Sequence, residues 1–330
     1  MISIETVKQR YDCNIALLLL CCRVHFNTET LEKLQQFIDN NPVDWDEVQY
    51  LLAYHRIEPI IYAVLEGAVL PAQTTAQIKQ QRLFLISRSF KHALETERII
   101  SLLNENNIRC IPYKGIVFSK QFYGDVVSRD SSDIDLVIEP ADFEKVMVLM
   151  QQLGYSFEHQ LEYNYFKDAI FNRKKDLCFN RYNNESREFH VEFHWKINEN
   201  LSRIKKQANA LLYNSDRKEV LIRNSVEMLN NNAHFLAVFI HHSINDAFSI
   251  FRNIVDICQL SKNAPSNADI SYMENVISQL QLNKAVGICR YLSKELLGVT
   301  LPFFRSSGDA VPEKVKKYFT AYLLQKDKIG

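Results

Sequence analysis

Polar and apolar residues alternate one for one through Glu188-Phe189-His190-Val191-Glu192-Phe193-His194-Trp195-Lys196. That period of two predicts a half-buried strand, with Phe189, Val191, Phe193 and Trp195 inward and His190, Glu192, His194 and Lys196 on the polar face. A second strand is predicted over residues 134–138, an apolar, β-branched run that follows Ser131-Ser132-Asp133. Ile134 and Leu136 turn to its buried side, so Asp133 and Asp135 project together from the other. A third strand, at residues 108–111, leads through Lys114-Gly115 into a helix that runs to Tyr123. Pro140-Ala141-Asp142 starts a helix over 143–153 that Gly154 ends. Further strands are expected over 155–159, 165–172 and 177–182.

On both sides of this segment the pattern is helical. Residues 15–22 are continuously apolar, and 28–40 are amphipathic with Leu31, Leu34, Phe37 and Ile38 inward. Pro42 interrupts the chain, and Asp44 suits the N-cap of a helix holding Trp45, Val48, Leu51 and Leu52. His55 reads as a structural histidine at that helix's end. Helical spacing resumes over 74–103, and from Val220 onward the chain returns to helix. The expected fold class is therefore α+β. A mixed β-sheet backed by helices occupies 98–200, between helical regions at 1–97 and 201–330.

At 330 residues the chain can bury a large core, and its eight glycines and eight prolines fit a mostly helical globular protein. Lysine plus arginine equals aspartate plus glutamate at 39 each, so no net field holds a polyanion. Sequence-independent binding of long nucleic acid needs many phosphate contacts, and the balance argues instead for a small-molecule or protein partner. Seven cysteines without a Cys-x-x-Cys pair, most in apolar helical stretches, act as small hydrophobes. The run at 15–22 is too short to span a bilayer and no secretory signal is apparent, so no membrane partner and a cytoplasmic location are expected.

The candidate chemistry lies in the central segment. Two carboxylates on one strand face repel unless positive charge lies between them, which makes Asp133 and Asp135 candidate ligands for a divalent ion carrying a triphosphate, the alternative being a solvated strand entry. Glu192, mid-strand on a polar face, is the candidate third carboxylate. Asp176 sits in the charged turn Arg173-Lys174-Lys175-Asp176, and Glu188 at the strand's mouth. Glycine at a strand-to-helix step lets phosphate approach the backbone, and Lys114 adds a positive charge. The His190-x-Glu192-x-His194 trio could also bind zinc, though the oxygen ligands at Asp133 and Asp135 suit magnesium better.

These elements together resemble the polymerase-beta-like nucleotidyltransferase superfamily. Within it they resemble an uncharacterised bacterial group marked by Lys-Gly, Arg-x-x-x-Asp-x-Asp and Glu-x-His-Trp. The matching residues are Lys114-Gly115, Arg129 with Asp133 and Asp135, and Glu192 with His194 and Trp195. The resemblance implies transfer of a nucleoside monophosphate from a triphosphate, ATP before the others, to a hydroxyl of a small molecule or protein. It implies Mg2+ or Mn2+ on Asp133, Asp135 and Glu192, and nucleotide contacts from Lys114, Gly115, Ser119 and Arg129. It also implies a substrate pocket that includes His194, His242 and Asp256. Gly115 is followed by Ile116 where the superfamily has glycine or serine, so Lys114, Ser119 or Arg129 would replace the missing hydroxyl. Two other readings stay open: a protein on the same scaffold that binds a nucleotide or partner without transfer, and a toxin- or antitoxin-type transferase acting on protein or tRNA.

Overall fold

The structure, a computed structural model, describes residues 1–199, 205–262, 265–302 and 311–325. The chain divides into two units, one made of Met1–Leu85 with Asp246–Gly330, the other of Ile86–Asn245. The long helix Ala72–Glu105 runs through the boundary.

The first unit is helical. Its central helix, Cys13–His25, begins where the Asp12 carboxylate accepts the amides of Asn14 and Ile15. From Ile15 to Cys22 no residue is more than 3% exposed. Such a helix has no polar stripe, because other helices surround it. Cys21 and Cys22 are core residues within it, as expected. Arg23 is buried too, and its guanidinium is satisfied by donating to the carbonyls of Leu296 and Ile2, each at 2.7 Å. The Asp44 cap is present, its carboxylate accepting the Glu47 amide at the start of Trp45–His55. His55 closes that helix, buried, with its ring edge-on to Phe251 at 4.8 Å and Nδ1 accepting the Phe251 amide.

The second unit holds a five-stranded mixed sheet. Its strands are β1 (Ile111–Pro112), β2 (Ile134–Val137), β3 (Ser156–Phe157), β4 (Asp176–Asn183) and β5 (Ser186–His194), in the order β1-β2-β5-β4-β3. β2 and β5 run parallel and the other pairs are antiparallel. The buried face of β5 is Phe189, Val191 and Phe193, followed by Trp195, all at most 5% exposed. Trp195 packs on Phe171 at 5.0 Å and Phe143 at 6.2 Å, at the centre of an aromatic cluster. The expected α+β class holds.

Three local expectations are corrected. Residues 165–172 are not a strand but lie in the helix Gln160–Arg173, kinked at Phe166. The aromatic density there imitates a strand. Only Tyr163 and Ile170 are buried, one on each side of the kink, while Tyr165 and Phe166 face solvent. Helix does not resume at Val220: an antiparallel ribbon, β6 (Ser215–Val220) and β7 (Ser225–Leu229), precedes the helix Asn231–Ile240. The charged alternation of β6 buries little, so its strand period carries no hydrophobic signal. The strand expected at 108–111 shrinks to Ile111–Pro112, because the Ile108 amide still closes the preceding helix on the Leu103 carbonyl. Among the described residues no helix is long and apolar enough to cross a membrane.

Burial holds the His55 imidazole down to about 3, and burial with nearby Lys262 holds His25 down to about 4. The unfolded chain protonates both below 6.5, whereas the folded one keeps them neutral to those lower values. Their contribution to stability is complete above pH 6.5 and is lost progressively as the pH falls toward 4 and 3. At pH 5 each should cost at most about 2 kcal/mol. Urea unfolding at pH 7 and pH 5 checks this, and His55→Gln should flatten the pH dependence; an unchanged slope in that variant would refute it.

Candidate active site

Parallel pairing of β2 with β5 places Asp135 directly opposite Glu192. Alternation sends Ile134, Leu136, Val191 and Phe193 into the core from the same strands. The two carboxylates therefore share one face of the sheet. Glu188 lies 3.3 Å from Arg181, whereas Asp176 is paired with Lys175 and lies 3.4 Å from His194 Nδ1.

Positive charge meets the carboxylate pair from two directions. Lys114 Nζ lies 3.2 Å from Asp135 Oδ1. His194 Nε2 lies 2.9 Å from the same oxygen and 3.1 Å from Glu192 Oε2. Burial would push the Asp135 carboxyl up, but Lys114 and the His194 hydrogen bond outweigh it and hold it below the carboxylate range. Glu192 is likewise driven down, burial being overcome by hydrogen bonds from His190 and His194. For His194, burial and Lys114 disfavour the charged ring, yet Asp176, Asp135 and Glu192 prevail and raise it. The ring lies between the two carboxylates, with Tyr113 edge-on at 5.5 Å.

One donor atom each from Asp135, Glu192 and His194 lies within 4.8 Å of the others. Hard carboxylate oxygens that already demand two positive groups fit Mg2+ or Mn2+. Asp133 stands two residues before Asp135 with its carboxylate accepting from Ser132 Oγ at 2.9 Å. His190 and His194 approach opposite oxygens of Glu192, Oε1 and Oε2, so the zinc trio read from the strand does not converge on one point.

The Lys114-Gly115 step lies against the start of β2. Lys114 has φ 57 with ψ −148 and Gly115 has φ 45, positive values that residues with side chains rarely adopt. A Cβ on Gly115 would come 2.9 Å from Ser131 Oγ and 3.3 Å from the Asp133 carbonyl. Here glycine is needed for both conformation and space. A cavity of about 10 Å³ remains among Lys114, Gly115, Asp133 and Asp135, room for about one water or ion.

The strained loop is held by a residue the sequence reading did not find. The Lys114 amide donates to His234 Nε2 at 3.0 Å, and His234 Nδ1 donates to Gln121 Oε1 at 2.5 Å. Gln121 Nε2 in turn donates to the Leu229 carbonyl and to Asn231 Oδ1. Burial drives His234 down to about 3, as an accepting, neutral ring requires. The available signal was a lone histidine in the otherwise apolar run of residues 233–240, which must find a buried partner.

The other candidates lie on several elements. Arg129 is 4% exposed, its guanidinium 5.2 Å above the Phe118 ring. Ser119 is fully buried, its Oγ has no hydrogen-bond partner among the described residues, and it does not line the cavity beside Gly115. His242 is buried in the turn His241–Asn245 of the second unit, and Asp256 is buried in the helix Phe251–Lys262 of the first.

A family model described as an uncharacterised nucleotidyltransferase matches residues 41–298, more than three quarters of the chain. The chain belongs to that nucleotidyltransferase family. No curated protein matches it.

Gly115→Ala should destabilise the fold by about 1–3 kcal/mol, from the left-handed φ and the contact with the Asp133 backbone. Gly124 also has positive φ, but a Cβ there meets nothing within 4 Å. Gly124→Ala should therefore cost less, about 1 kcal/mol. Urea unfolding of the two variants compares them, and equal losses would remove the steric argument.

Proposed function

We propose that the protein is a metal-dependent nucleotidyltransferase that moves a nucleoside monophosphate from a triphosphate, ATP first among them, to a hydroxyl of a small molecule or protein. The observation that carries this reading is the register of Asp135 against Glu192 on parallel strands, with Lys114 3.2 Å from Asp135. Magnesium or manganese held by Asp133, Asp135 and Glu192 would neutralise phosphate charge and make the acceptor hydroxyl more acidic.

The chain's own residues carry the rest. The acceptor oxygen attacks the α-phosphorus, the bond to the bridging oxygen breaks, and pyrophosphate leaves with that electron pair. Glu192 draws the proton from the attacking hydroxyl, and His194 fixes the direction of its carboxylate. Lys114 supports the developing charge on the phosphates. The amide of Gly115, on a loop pinned by His234, approaches phosphate without a side chain in the way. Zero net charge supports a small or protein acceptor over a long nucleic acid, whose binding would need many cationic contacts.

Incubation with extract, magnesium and each α-phosphate-labelled triphosphate tests this. The wild type should transfer label, and Asp135→Asn and Glu192→Gln should each lose at least about 100-fold. Transfer by either variant at the wild-type rate would defeat the site assignment. Label that ribonuclease or deoxyribonuclease releases from long polymer would defeat the acceptor class.

A further inference from the structure

Cys178 on β4 is paired with Glu192 on β5, and Asn180 is paired with His190. Cross-strand partners share a face, so all four lie on the side of the sheet that carries Asp135. One donor atom each from Cys178, His190 and Glu192 falls within 4.8 Å of the others. The two oxygens of Glu192 divide the neighbourhood. Oε2 lies 3.1 Å from His194 Nε2, and Oε1 lies 3.4 Å from His190 Nε2.

The His190 ring is oriented from behind. Its Nδ1 is 2.6 Å from Asn180 Oδ1, an acceptor only, so Nδ1 carries the proton and donates. The Asn180 amide is itself fixed, because its Nδ2 donates to Glu158 Oε1 and the residue is 1% exposed. Proteins set the tautomer of a ligating histidine in this way, with one nitrogen tied to a carbonyl and the other turned to the ion. Sulfur, imidazole nitrogen and one carboxylate form a softer set than the oxygens of Asp133 and Asp135, and they suit zinc.

We propose that Cys178, His190 and Glu192 form a second cation site, for an ion of the zinc class, distinct from the oxygen-ligand site and sharing Glu192 with it. On binding, the Cys178 S–H bond breaks, a sulfur–metal bond forms, and the proton passes to solvent. Water completes the coordination. Cys178 also groups with Glu158 and His159 on its other side. There Glu158 is engaged by Asn180, and His159 Nδ1 lies 3.8 Å from Glu162, so the His190 side is the better prepared.

Cobalt titration of the full chain, in excess magnesium, tests the site through thiolate-to-cobalt charge-transfer absorption. One equivalent should produce the band, and zinc should displace it. Cys178→Ser should abolish it although six of the seven cysteines remain. Asn180→Ala should weaken cobalt binding about 10–100-fold, and His190→Ala at least as much. His159→Ala and Asp133→Asn should leave the band intact, with far-UV circular dichroism verifying that each variant is folded. The proposal fails if the wild type shows no thiolate band or if the band survives Cys178→Ser. It fails equally if His159→Ala or Asp133→Asn removes the band while His190→Ala spares it. The readout needs no transfer activity, so failure of the transferase reading would leave this result unaffected.

Discussion

Asp135 and Glu192 face each other across a parallel pair of strands, both largely withdrawn from solvent, with the core beneath. Two carboxylates so placed cannot both stay ionised unless cations of the protein stand close by. Lys114 and His194 meet that demand. At 3.2 Å and an effective dielectric near 20, the Lys114–Asp135 attraction is about 5 kcal/mol, much of it offset by desolvation of both groups. Its larger effect is conditional. Without Lys114 a buried carboxylate would lose a compensating charge, a loss of the kind that costs about 3–5 kcal/mol. The position of Lys114 therefore constrains the loop that bears it, and the positive-φ backbone at Lys114-Gly115, the close fit on Ser131 and the His234 prop all follow from that constraint.

The strands that carry this arrangement were legible because each has one polar and one apolar face. Glu192 and Asp135 could be assigned to a common surface before any pairing was known, since period-two alternation decides the matter strand by strand. Register was not legible. Nothing local in the sequence says that Asp135 meets Glu192 and not His190, because pairing depends on how the aromatic core of Phe143, Phe179 and Trp195 packs beneath. The helix Gln160–Arg173 was misread for a related reason. Exposed Tyr165 and Phe166 raise strand propensity without contributing to any buried face. His234 was invisible to motif spacing because it acts on a backbone amide 120 residues away. The only trace such a residue leaves is its own burial.

On the transferase reading, the same charge constraint links metal and nucleotide. Asp135 Oδ1 already faces the Lys114 ammonium and the His194 ring, so an entering ion would compete with groups that satisfy the carboxylate in its absence. A triphosphate changes that balance, because it brings anionic oxygens to which Lys114 can turn. Lys114 would then turn from Asp135 toward the phosphate while the ion took its place, leaving the carboxylates compensated. Ion and nucleotide should accordingly bind better together than either alone, since each removes the penalty the other would meet. The coupling needs no movement of β2 or β5. It needs only that a single lysine has two anionic partners within reach, which its place on a rigid, His234-anchored loop provides.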